Sequence, residues 1–300
     1  MKQPKLWPVA LETLMALGAH YVPAMEKAAD DAGVERGVWG LLISALTFEP
    51  EAISNAILQR RNPYQDYTRL LADAASQGFF AVESPGAYQI TDLGRAVGTE
   101  IILAAYARMQ TFEPLRVEQM QYLSVLLRKL VVASHTSPEP PGKWCLTHAR
   151  RIDPGQNAPL IIQVDQYLSD LAAYRDDAHL AAWRGLDFDG PTWEALTLLW
   201  QGEAVDLDAL LEKLAHRRFS RDVYAAALQK LETRGLILAD SGKYRLTPAG
   251  EQLRQNAEAA TDAYFYAPWD CLDAEELEAL EILLTKLTKE MGKKRSQRCP

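Results

Sequence analysis

Residues 224–250 read YAAALQKLETRGLILADSGKYRLTPAG, and residues 67–94 read YTRLLADAASQGFFAVESPGAYQITDLG. Tyr67, Leu71 and Gly78 match Tyr224, Leu228 and Gly235 at equal spacing. After one extra residue in the earlier loop, Tyr88, Thr91 and Gly94 match Tyr244, Thr247 and Gly250. A repeat at this range bears on the fold before any single residue does. Each copy encodes the same local structure. In the later one, Tyr224, Ala227, Leu228 and Leu231 follow helical spacing and form an apolar stripe. Ser220 stands where a helix cap belongs, and Gly235 supplies the left-handed turn that ends the helix. Leu236–Ala239 and Tyr244–Thr247 are two short strands around an Asp240-Ser241-Gly242 turn. Pro248 suits the first position of the next helix, with Thr247 as its cap.

Two further amphipathic helices, Trp193–Trp200 and Leu207–Leu214, precede this unit. Three helices and a two-stranded hairpin make a winged helix-turn-helix. The first copy parses likewise, with helices near Val38–Thr47, Glu49–Arg60 and Pro63–Gln77 and a wing turning at Ser84-Pro85-Gly86. The expected fold class is therefore mainly α: tandem winged helix-turn-helix domains, each with a two-stranded β wing, joined by long helices.

Tyr88-Gln89-Ile90-Thr91-Asp92-Leu93-Gly94 and Tyr244-Arg245-Leu246-Thr247-Pro248-Ala249-Gly250 each follow a helix ending in Gly and a hairpin. This Tyr-x-(Ile/Leu)-Thr-x-x-Gly pattern resembles the wing-to-helix junction of MarR-type winged-helix transcription regulators. The tail from Ala260 through Leu287 resembles their long flanking helices. The resemblance covers roughly residues 36–133 and 189–288. It implies DNA binding, and a small aromatic effector held between the winged helix and its flanking helices. Trp193, Trp200, Tyr224, Tyr264, Phe265, Tyr266 and Trp269 are the candidate lining. Members of that family carry one module per subunit and dimerise, whereas this chain carries two.

Along the chain, Leu6–Leu17 and Tyr21–Asp31 read as two short helices, and Asp92–Gln110 with Leu115–Ala133 as a long pair. Ser134–Gly142, with three prolines, reads as a linker. Ala158–Arg184 reads as a long bridging helix and Asp273–Lys289 as an amphipathic closing helix, before a basic tail of Lys293, Lys294, Arg295 and Arg298. The expected division is residues 1–133, a linker at 134–156, and residues 157–300.

Net charge is −8 over 300 residues, which argues against nonspecific coating of nucleic acid, where phosphate neutralisation dominates. A locally basic face is still compatible with that balance. Residues 211–254 hold nine Lys/Arg against five Asp/Glu, an excess of four inside an acidic chain. On the second module Arg217, Arg218, Lys243 and Arg245 are the candidate phosphate contacts. Ser220, Arg221 and Gln229 lie at the helix that would enter the major groove. On the first module the counterparts are Arg60 and Arg61 for phosphate and Gln65, Thr68 and Arg69 toward bases. Its wing, residues 81–86, has no basic residue.

Cys145, Cys271 and Cys299 are widely spaced, which argues against a disulfide framework and points to a reduced, cytoplasmic setting. No run of about 20 apolar residues suggests a membrane span. Cys145 and His148 supply two zinc-type ligands where a structural site needs four, and Asp176-Asp177 with His179 reads as a solvated helical turn. No Walker lysine loop, GxSxG or HExxH occurs. No enzyme, cofactor or metal is expected. The expected partner is double-stranded DNA, with a small aromatic effector and a protein partner or second copy as further candidates. Two functional classes fit: a DNA-binding transcription regulator, with the two modules as a single-chain pseudo-dimer, or a non-enzymatic scaffold that holds protein partners.

Overall fold

The structure, a computed structural model, describes residues 5–35 and 37–296, with side chains to residue 293. It is mainly helical, with two small antiparallel sheets. The chain opens with α1 (Trp7–Asp31), continues through α2 (Val38–Phe48), β1 (Ile53–Ser54), α3 (Asn55–Leu58) and α4 (Thr68–Ser76), and turns back through the hairpin β2 (Phe80–Ser84) and β3 (Ala87–Ile90). Long helices α5 (Asp92–Gln110) and α6 (Val117–Thr136), short α7 (Trp144–Ala149) and the 25-residue α8 (Leu160–Arg184) follow. The second half holds α9 (Gly190–Trp200), α10 (Leu207–Lys213), α11 (Arg221–Thr233), the hairpin β4 (Ile237–Asp240) and β5 (Lys243–Leu246), then α12 (Pro248–Tyr266) and α13 (Ala274–Ser296).

The hairpin-to-helix junction is built alike in both halves. Thr91 caps α5 by accepting from Gly94 N at 3.1 Å, and Thr247 caps α12 by accepting from Gly250 N at the same distance. Each threonine hydroxyl also donates back, to Gly78 O and Gly235 O respectively, both at 2.8 Å. Gly78 and Gly235 adopt the left-handed backbone, at φ 82° and 67°. In the second hairpin Ser241 and Gly242 are both left-handed, as a tight primed turn requires. The entry to each hairpin is also shared. β1 pairs with β3 at Ile53 and Tyr88, and Tyr244 N donates to Val205 O at 2.7 Å.

Several elements differ from the sequence reading. The two N-terminal helices are one continuous α1, with Pro23 inside it. An interior proline removes one helical hydrogen bond. The apolar face of Trp7, Ala10, Leu17, Met25 and Ala29 nonetheless stays buried on both sides of Pro23. The expected helix Glu49–Arg60 is interrupted after Pro50 by β1, leaving the four-residue α3 capped by Ser54. The helix expected from Pro63 begins only at Thr68. Tyr67 N is taken by Asn55 Oδ1 at 2.8 Å, and the Asp66 carboxylate accepts from Thr68 N. Tyr67 is therefore half-buried at a helix start, whereas Tyr224 is fully buried within α11.

Two apolar cores share α8. The first gathers α1, α2, α5, α6 and the N-terminal part of α8, and it also takes in Phe265, Trp269 and α13 residues Leu277, Leu280, Leu284 and Leu287. The second gathers the end of α8 with α9, α10, α11 and the start of α12. The closing helix thus packs on α1 and α6 of the first core. The expected linker at 134–156 contains α7, whose Cys145 and Leu146 are buried and whose first N–H groups donate to the Asp177 carboxylate at 2.8 and 2.9 Å. Asp177 is accordingly a buried helix cap rather than a solvated residue. At the seam between halves, a Cβ on Gly190 would stand 2.0 Å from Pro63 O.

Candidate nucleic-acid interface

In the second half α10 and α11 are joined by the turn at residues 214–220, in which Arg218 is left-handed at φ 67°. Tyr224, Leu228 and Leu231 bury one face of α11 against α9. The opposite face presents Arg221, Asp222, Ala225, Ala226 and Gln229 to solvent. Ser220 occupies the cap position with an exposed side chain that makes no cap hydrogen bond. Lys243 and Arg245 are exposed on the hairpin, with no ion pair among the described residues.

Most of the local positive charge is consumed within the fold. Arg217 Nη2 lies 2.6 Å from Glu194 Oε1 and its guanidinium stands over the Tyr64 ring. Burial pushes the Glu194 carboxyl up, and Arg217 pulls it back. Arg217 is therefore a strut between the halves, not a free phosphate contact. Arg221 pairs with Asp208 at 2.6 Å but keeps a 58% exposed side chain, and it can exchange that partner for another anion. Lys213, Lys230 and Arg254 face Glu203, Asp189 and Glu258. Arg234 donates to the backbone oxygens of Leu186 and Asp187. Of the nine cations between residues 211 and 254, Lys243 and Arg245 retain an open field. Arg218 borders a surface pocket with Asp66, Arg69 and Asp73.

In the first half most of the candidate residues are exposed but engaged by neighbours within the fold. Arg60 stacks over Trp144 with its guanidinium carbon 4.6 Å from the ring centre, and Arg61 pairs with Asp176 at 3.0 Å. Gln65 accepts through its backbone oxygen from Gln59 Nε2, and the Thr68 hydroxyl donates to Asp66 at 2.7 Å. Arg69 is exposed and only loosely paired with Asp73, at 3.7 Å. The segments leading into α4 and α11 touch: Asp66 N donates to Arg217 O at 2.9 Å. Of the basic tail, Lys293 pairs with Glu290, while the side chains of Lys294, Arg295 and Arg298 lie outside the described residues.

The geometry and the comparison with known families agree on the second half. Residues 166–297 match a helix-turn-helix family. That match spans most of α8 and all of α9 to α13, and the α10–α11 pair lies within it. Comparison with curated proteins and with solved structures gives no match. Among the described residues, no helix is long and apolar enough to cross a membrane and no group of three metal-ligating side chains occurs.

The aromatic set expected to line an effector cavity does something else. The Arg254 guanidinium fills the space between Trp193 and Trp200, 4.8 and 4.9 Å from their ring centres. Phe265 and Trp269 are buried in the first core, with Tyr264 and Tyr266 packed against it.

Proposed function

We propose that this protein is a DNA-binding transcription regulator of MarR-like winged-helix type, with no catalytic activity, whose second winged helix makes the principal DNA contact. The observation that carries this reading is the exposed outer face of α11 inside a helix-turn-helix match, flanked by the unpaired hairpin cations Lys243 and Arg245. In such a domain the N-terminal residues of the second helix meet base edges and the wing meets phosphate. Arg221 and Gln229 are the base-reading candidates. The tandem modules form one composite head. Thr68 and Arg221, the first residues of α4 and α11, lie two and four residues beyond the Asp66–Arg217 hydrogen bond. Extended chain reaches about 3.6 Å per residue, so the two helix starts stand closer together than the roughly 34 Å between half-sites of a two-fold dimer. The single-chain pseudo-dimer thus becomes one contiguous reading face.

The test is selection from a random duplex library at two salt concentrations. Wild type should enrich a sequence. Lys243→Ala/Arg245→Ala should weaken binding to every duplex, reducing the log–log salt slope by about 1 for each phosphate that is no longer neutralised. Arg221→Ala should cost about 1–3 kcal/mol at particular base pairs. A wild-type protein that enriches nothing and binds without salt sensitivity would end the regulator reading and favour a protein-holding scaffold, a role suited to the internally neutralised surface.

A further inference from the structure

Away from the α11 face, the first core holds a cavity of about 370 Å³ between α1, α2, α5, α7 and α8. That volume lies in the range of small-molecule sites. Its walls are largely apolar and aromatic: Ile43, Phe48, Ile102 and Trp144 line it together with Tyr21 and Tyr106. One carboxylate interrupts this lining. Asp165, on the cavity face of α8, has its Oδ1 shielded from solvent with no hydrogen-bond partner, and burial raises the carboxyl's proton affinity while the neighbouring Tyr21 hydroxyl opposes that rise. A buried acceptor left unmatched is costly and calls for a partner.

The other ionisable groups on this cavity do not answer that demand. Arg61, at the rim, is held by Asp176 at 3.0 Å. The His148 ring nitrogen Nδ1 is engaged with Trp144 O at 2.7 Å, and burial lowers its proton affinity. Tyr67 receives Asn62 Nδ2 at 2.8 Å. The group left unmatched on the cavity is therefore the Asp165 carboxyl, which burial pushes up to about 7 and which a neighbouring cation would draw back to its charged form, with Tyr21, Tyr106 and Trp144 in the same lining.

We propose that this cavity binds a small aromatic or aliphatic amine as its ammonium ion, with Asp165 as the counter-charge and the aromatic walls enclosing the body of the ligand. A carboxylate ligand would have to meet Asp165 in its protonated form, and a neutral ligand offers the carboxylate no counter-charge.

The experiment is isothermal titration of the full chain, without DNA, so its outcome is independent of the regulator reading. The probes are phenethylamine, tryptamine and benzyltrimethylammonium, set against the matched 2-phenylethanol and 3-phenylpropanoate. At least one cation should bind with one-to-one saturation, and the alcohol and carboxylate at least about tenfold more weakly, a difference of roughly 1.4 kcal/mol or more. Asp165→Asn should abolish the preference for the cation while leaving the fold intact, since it is isosteric. Ile43→Phe, which fills the cavity and leaves the charge, should weaken all binding. Absence of saturable binding by all three cations, equal binding of the alcohol, or unchanged cation binding by Asp165→Asn would overturn the proposal.

Discussion

His179 sits where the two cores meet, its Nε2 3.0 Å from the Tyr64 hydroxyl and its Nδ1 3.5 Å from that of Thr261. Burial lowers its pKa from 6.5 to about 4, with Arg254 and Arg175 adding to the effect and Glu258 opposing it. Above pH 6.5 both folded and unfolded states carry a neutral ring there. As pH falls toward 4 the unfolded chain takes up the proton first, so stability is lost, by on the order of 3 kcal/mol over the window. Asp165 acts with the opposite sign. Burial raises its carboxyl to about 7, so the folded state protonates first and gains stability as pH falls below 7. Urea denaturation of His179→Gln from pH 7 to pH 4 should therefore show a flatter acid loss than wild type. Asp165→Asn should show a steeper one. Parallel curves for all three proteins would mean that neither group is as desolvated as its surroundings indicate. At this scale little was legible in the sequence. Counting cations between residues 211 and 254 gives a basic excess, but Glu194 lies 23 residues from Arg217 and no local spacing announces their pairing.

Among the elements, the hairpin-to-helix junction was the most legible, because its chemistry is local: a left-handed glycine, a threonine cap and a small residue three positions on. Gly94 and Gly250 show why that last residue is small. A Cβ on Gly250 would stand 2.2 Å from Leu236 O, and one on Gly94 2.3 Å from Phe79 O, both backbone atoms that cannot swing aside. Gly250→Ala and Gly94→Ala should each destabilise by about 1–3 kcal/mol or more, as overpacking does. Gly18, inside α1 with nothing within 4 Å of an added Cβ, is the control. Its replacement by Ala should stabilise by roughly 0.5–1 kcal/mol. Thermal melts of the three variants check this, and a stable Gly250→Ala would mean the wing does not press on α12. The misread elements lacked such local signals. Continuity of α1 through Pro23 and the strand after Pro50 are set by packing and pairing with α5 and β3, which sequence spacing does not report.

For the whole molecule, chain order and core membership part company. The repeat suggested two successive units, yet α13 returns to the first core, where Leu280, Leu284 and Leu287 are fully buried against elements more than a hundred residues earlier. Thr13 on α1 donates to Leu284 O at 3.3 Å, and Lys129 on α6 pairs with Glu276 at 2.7 Å. The amphipathic stripe of α13 was plain in the sequence; its partner was not, since a stripe says only that some apolar surface must cover it. The helix-turn-helix match takes in the whole of α13, so one segment serves both the matched region and the first core. Removing residues 274–300 should therefore harm the distant half more than the near one. Hydrogen exchange of the truncated chain should show α1 and α6 amides losing protection while those of α11, whose core contains no α13 side chain, keep theirs. The reverse pattern, with α11 opening and α1 unchanged, would place α13 with the second module and restore the division that chain order suggests.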